Sequence, residues 1–169
     1  NPLQEALQVE GTPNFKGGMK ALEKLCTDLD RPVILKETGC GFSKITLKQI
    51  NDIGLFAVDL SGSGGTHWGR VEGMRAGADS PQQLAAKAFA NWGISTVDSL
   101  LYASHVKVNY RLWASGGIRN GLDAAKCFAL GAKKVSFARK ALEKAVVSAD
   151  AVYQFMQQME YELKIAMFC

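Results

Sequence analysis

Leu112-Trp113-Ala114-Ser115-Gly116-Gly117-Ile118-Arg119-Asn120-Gly121-Leu122-Asp123 reads as a short buried strand, a glycine turn and the first turn of a helix. Asn120 is a good N-cap, and Asp123 follows three residues later as in a capping box. Leu122, Ala125, Cys127, Phe128 and Leu130 recur at helical spacing, and Gly131 closes the helix at C′. Two glycines without Cβ let a ligand oxygen approach the backbone, where free N–H groups at the helix start and the charge of Arg119 would meet it. That is a phosphate cradle. A glycine turn alone is weak evidence, because many βα turns carry glycine for steric reasons. The next unit, Lys134-Val135-Ser136-Phe137-Ala138-Arg139-Lys140, is a second short strand running toward a helix. Two consecutive βα turns sharing one phosphate site is the arrangement found after strands seven and eight of a (β/α)8 barrel.

Working back along the chain, residues 1–15 read as irregular and 17–29 as an amphipathic helix with Met19, Leu22, Leu25, Cys26 and Leu29 in phase. Val33–Glu37 is the first strand, and Ser43 caps a helix through Ile53 that Gly54 stops. Leu55–Leu60 is a second strand, apolar on both faces as parallel strands are. The glycine-rich loop Ser61-Gly62-Ser63-Gly64-Gly65-Thr66 leads into a long polar connection to about Gly77. Helices follow over 81–91 and from Ser95 or Thr96, and a last one from about Glu143 carries Val146, Val152, Phe155, Met156, Met159 and Leu163 on one face. The order β-α-β-α-β-α-β-α is half of a barrel, about four βα units. An open doubly wound sheet is the runner-up, but its G-x-G-x-x-G turn is absent. With no strand before Asn1 and no cap near Cys169, residues 1–169 are expected to form the C-terminal half of one barrel domain. Alone, that half would expose two unpaired strand edges and an apolar barrel interior.

A net charge of +4 with no basic run interleaved with aromatics argues against nucleic acid and suits small-anion ligands. Cys26, Cys40, Cys127 and Cys169 lack metal spacing and read as reduced, mostly buried thiols. No signal peptide, membrane span or lipidation motif is present, which makes a cytoplasmic location the default expectation.

Lys36 ends an otherwise apolar strand where a barrel faces its site. A snorkelling lysine is the plain alternative, but apolar neighbours favour a fixed positive charge beside an anionic cofactor ring. Ser61 and Thr66 flank the glycine loop and suit phosphate or a ring carbonyl; a well-bonded turn explains them nearly as well. Glu5, beside Gln4, can hold Mg²⁺ against a diphosphate, although by residue type a solvated glutamate is the better reading. Asp59 at a strand end reads either way. His67 and His105 have no carboxylate or cysteine at catalytic spacing, which favours surface or core-edge roles.

Asn1-Pro2-Leu3-Gln4-Glu5, Leu35-Lys36-Glu37-Thr38-Gly39, Ser61–Thr66, Trp92-Gly93-Ile94 and Ala114–Arg119 occur in an order and spacing that resemble the C-terminal half of the type 2 isopentenyl-diphosphate isomerases. These are FMN-dependent (β/α)8 barrels, and the similarity spans essentially all 169 residues. The resemblance implies that Lys36, Ser61 and Thr66 contact FMN, while Gly117, Ile118, Arg119, Ala138 and Arg139 bind its phosphate. It makes Gln4 the substrate-facing catalytic residue and Glu5 the Mg²⁺ ligand. It further implies interconversion of isopentenyl and dimethylallyl diphosphate, with reduced FMN as the acid–base group, NADPH as reductant and a homo-oligomer of four or more subunits. Where the family usually has glycine this chain has Ser136 and Arg139, so that an arginine side chain either crowds the phosphate or adds charge to it. A 2-hydroxyacid oxidase or dehydrogenase on the same fold is the rival enzyme, and a cofactor-free barrel fragment is the rival of another class.

Overall fold

The computed structural model describes residues 1–169. Four short parallel strands form its one sheet: β1 (Ile34–Lys36), β2 (Ala57–Asp59), β3 (Arg111–Ala114) and β4 (Lys134–Val135). They pair in chain order β1-β2-β3-β4, each one parallel to the last. A doubly wound sheet reverses its strand order at a switch point; a barrel does not. The sequential order therefore gives four consecutive βα units of a partial (β/α)8 barrel.

Helix α3 (Lys44–Gln49) crosses from β1 to β2, and α4 (Trp68–Arg75), α5 (Pro81–Ala88) and α6 (Thr96–Val106) lie between β2 and β3. Helix α7 (Gly121–Ala129) joins β3 to β4, and α8 (Arg139–Ala145) and α9 (Ala149–Phe168) follow. Helices α1 (Pro2–Leu7) and α2 (Gly18–Asp28) precede the sheet. Ser43, Ser80, Ser95, Asn120 and Ser148 each accept the amide three residues on, so every one of these starts is set by a local N-cap.

Val58, Leu60, Leu47, Ile50 and Leu100 are fully buried in the core between the sheet and the outer helices. Tyr110 lies among them and donates its hydroxyl to the Leu47 carbonyl at 3.2 Å. No helix is long and apolar enough to cross a membrane.

Several expectations change. Residues 1–15 are not wholly irregular: Asn1 caps α1, with Pro2 in its first turn. The connection to Gly77 contains α4, capped by His67. The helix expected through Ile53 stops at Gln49, and the last helix is two, α8 and α9, with Glu143 inside the first. Of the four free thiols only Cys127 is buried. The barrel-lumen face is not simply apolar. Lys36, Asp59, Trp113 and Lys134 are register partners on it, with the Lys134 ammonium 4.9 Å above the Trp113 ring.

Candidate functional site

Parallel pairing brings the C-terminal ends of all four strands to one edge, where the following turns enclose an open cavity of about 670 Å³. Lys36 reaches it from the end of β1, Ser61 and Thr66 from the loop after β2, Gly117 and Arg119 from the turn after β3, and Arg139 from the segment after β4. Ile118 and Ala138 complete the set of residues expected around FMN, and all of them line this one cavity.

The glycines have a reason different from ligand approach. A Cβ on Gly116 would stand 2.2 Å from the Gly62 carbonyl oxygen, and one on Gly117 2.8 Å from the Gly64 carbonyl carbon. Both residues also have positive φ, 91° and 81°. Glycine here lets two neighbouring βα turns touch backbone to backbone. Arg119 ties them further, donating from its guanidinium to the Gly64 carbonyl at 3.0 Å. Thr96 adds a hydroxyl donated to the Ser115 and Gly116 carbonyls, both at 2.8 Å.

The helix start after this turn is also less open than its sequence suggests. Asp123 takes the Arg119 amide at 3.1 Å, Asn120 takes the Asp123 amide at 2.8 Å, and Glu162 from α9 takes the Gly121 amide at 2.7 Å. The cavity's positive charge comes instead from side chains. Arg139 and Lys140 both line it, and both pair with Glu143, at 3.2 and 2.9 Å. The Lys140 hydrogen bond, foremost, holds the Glu143 carboxyl below the usual range. Lys140 was not singled out from sequence; its place one residue beyond Arg139 was the available signal.

Ser61 carries φ of 36°, a left-handed conformation that is uncommon outside glycine. Its carbonyl accepts the amides of Gly39 at 2.8 Å and Gly41 at 3.3 Å, joining the loops after β1 and β2. The strain sits in the cavity wall, where such outliers concentrate in functional sites.

Lys36 forms a network that local sequence did not reveal. Its ammonium pairs with the Asp59 carboxylate and donates to the Ser115 hydroxyl at 3.1 Å, and Ser115 donates to the second Asp59 oxygen at 2.7 Å. The adjacent Glu37 alternates away, is buried, and accepts the Cys40 amide.

Gln4 and Glu5 do not line the cavity. Gln4 donates its amide to Glu72 at 3.2 Å, and Glu72 is buried with Arg75 on its other oxygen at 2.9 Å. Glu72, the partner that orients Gln4, was missed because it belongs to a helix read as loop. Glu5 accepts the Thr12 amide at 2.9 Å, and no cluster of three His, Cys, Asp or Glu side chains stands ready for a metal. Neither histidine lines the cavity. His67 accepts the Arg70 amide on Nδ1, which leaves the proton on Nε2 to bond the Trp92 carbonyl, both at 3.1 Å.

Comparison with known proteins agrees with this architecture. The chain is 56% identical over all 169 residues to an isopentenyl-diphosphate delta-isomerase of Legionella pneumophila (strain Lens). It is 54% identical to one of Bdellovibrio bacteriovorus, again over its whole length. The chain spans about half the length of these curated relatives, 49% in each case. Among solved structures, a Pediococcus acidilactici lactate oxidase superposes with a TM-score of 0.60 at 18% identity, covering 94% of this chain and 37% of that one. Mandelate oxidase with (S)-4-hydroxymandelic acid gives 0.57 at 22% identity, covering 88% and 36%. At those identities the likeness is one of fold. The family follows from residues 9–169, which match the FMN-dependent dehydrogenase model and so include every strand and all the cavity-lining turns described above; the chain belongs to that family.

Proposed function

We propose that the chain is the C-terminal half of an FMN-dependent isopentenyl-diphosphate delta-isomerase whose remaining barrel units come from the other half of a longer protein. The observation that carries this reading is the convergence of Lys36, Ser61, Thr66, Arg119 and Arg139 on one cavity, together with the lack of a histidine in its wall. A hydroxyacid oxidase needs a base that takes the substrate's proton as hydride leaves, and histidine is the usual residue for that task. Both histidines here are elsewhere.

The donor set suits FMN. Hydroxyls of Ser61 and Thr66 can meet ring carbonyls, the Gly117–Ile118 turn and the cations Arg119, Arg139 and Lys140 can meet the phosphate, and Lys36 would face the ring. When bound and reduced, the flavin supplies the acid–base group for moving a double bond. The chain's own residues bind and orient. Gln4, whose amide Glu72 holds outside the cavity wall, would be the substrate-facing residue, and Glu5, also outside that wall, would hold Mg²⁺ for the diphosphate. One carboxylate suffices, because Mg²⁺ fills its other positions with phosphate oxygens and water. NADPH is the proposed reductant, and a homo-oligomer in the cytoplasm the proposed setting.

The test is substrate choice in the full-length flavoprotein, kept anaerobic with Mg²⁺, with isopentenyl diphosphate given to the reduced-FMN form and lactate or mandelate to the oxidised form. Isopentenyl diphosphate should yield dimethylallyl diphosphate, and lactate or mandelate should leave oxidised flavin unbleached. Flavin bleaching by a hydroxy acid, without isomerisation, would reassign the chain to the oxidase branch.

A further inference from the structure

We infer that Asp59 positions Lys36 and sets the charge at the cavity, so that a bound flavin ring faces half of an ion pair and not a free ammonium. The inference rests on the flavin reading above. Lys36 and Asp59 are direct register partners on adjacent parallel strands, which puts their side chains on one face. The Asp59 side chain is only 7% exposed, whereas that of Lys36 is 50% exposed. Asp59 therefore lies beneath the site and Lys36 at its surface. The cavity is lined by Lys36 and Ser115 but not by Asp59.

The three groups close a ring. One carboxylate oxygen takes the ammonium, the other takes the Ser115 hydroxyl at 2.7 Å, and Ser115 accepts from the ammonium at 3.1 Å. An ammonium has three donors. Two are fixed from below, and the third is left for a ligand in the cavity. A freely rotating lysine would lose position and side-chain entropy on meeting that ligand; this one is already placed. The charge consequence is separate. An unopposed ammonium beside a flavin stabilises the anionic reduced ring and raises its reduction potential. A carboxylate in contact with that ammonium and deeper in the protein offsets part of its field at the cavity, because its Coulomb contribution has the opposite sign at a somewhat larger distance.

The experiment measures the midpoint potential of FMN bound to the full-length protein, at one pH, in Asp59→Asn, Lys36→Met and the double variant. Asp59→Asn should raise the potential, Lys36→Met should lower it by leaving an unopposed buried carboxylate, and the double variant should fall between the two single variants. An unchanged potential in Asp59→Asn, with Lys36→Met lowered, would overturn the role of Asp59 while leaving Lys36 against the flavin. No shift in Lys36→Met would overturn both, because Lys36 would then not face the ring. Should Asp59→Asn fail to fold, equal potentials in Lys36→Met and the double variant would refute the inference. Should Lys36→Met fail to hold FMN, the comparison of Asp59→Asn with wild type decides alone.

Discussion

Glu162, on the last helix, accepts the backbone amide of Gly121 at 2.7 Å and so caps the helix that follows the Gly116–Gly117 turn. The approach is close enough that a Cβ on Gly121 would stand 2.4 Å from the Met159 carbonyl oxygen and the Leu163 amide nitrogen. The turn at the candidate phosphate end is thus braced from behind by a helix about 40 residues further along the chain.

Glu162→Gln in the full-length protein is expected to lower stability by about 1 kcal/mol, or about 3 °C in Tm, the scale of one charge-assisted hydrogen bond. Hydrogen bonds from Gln158 and then from the Gly121 amide hold the Glu162 carboxyl below its ordinary value. A depressed carboxylate stabilises the fold above its unfolded pKa and ceases to do so as pH falls through the folded value. The gap between variant and wild type should therefore close as the pH drops below about 4. A gap that persists in acid would mean that the glutamine lost packing and not charge.

Gly116→Ala should destabilise far more than Gly131→Ala, although both positions have positive φ. Around Gly131 a Cβ meets nothing within 4 Å, so only backbone strain applies, about 1–2 kcal/mol. At Gly116 the Gly62 carbonyl blocks the same atom. Equal losses in denaturant titrations would contradict the contact between the two turns.

Much of this was legible locally. Ser43, Ser95 and Asn120 announce their helices because an N-cap is a contact across three residues, and β2 shows as an apolar run because both its faces are buried. Helix α4 stayed hidden for a physical reason. Its Gly69 and Gly73 look like loop residues, yet their bare surfaces admit Leu3 of α1 and Ala86 of α5, which a Cβ would approach to 2.8 and 2.3 Å. Propensity there yields to tertiary packing. The site divides in the same way. Lys36 stands out as a charge on an apolar strand, while its partners Asp59 and Ser115 depend on register between strands 23 and 79 residues away.

Thiol accessibility should follow burial. Burial, and then the nearby Asp123 charge, push the Cys127 thiol above its usual range, and burial with Glu37 does the same for Cys40. Thiolate is the reactive form, so at neutral pH Ellman's reagent should modify exposed Cys169 first and Cys127 last. Fast labelling of Cys127 in folded protein would contradict the packing of α7 against the sheet.

Glu143 engages both Arg139 and Lys140 at the cavity's cationic end. Removing its charge in Glu143→Gln should tighten FMN binding to the reconstituted full-length protein at low ionic strength, with the gain shrinking as salt screens these exposed groups. Weaker binding, or a gain independent of salt, would place the FMN phosphate away from Arg139.

The central claim is a flavin-dependent, redox-neutral isomerisation, and one sample tests it. Full-length protein with bound FMN and Mg²⁺ is given isopentenyl diphosphate anaerobically, first oxidised and then after reduction, while product and flavin absorbance are followed together. The account predicts no product before reduction, dimethylallyl diphosphate after it, and an unchanged reduced-flavin spectrum through many turnovers. Turnover with oxidised flavin, or flavin reoxidation in proportion to product, would contradict it.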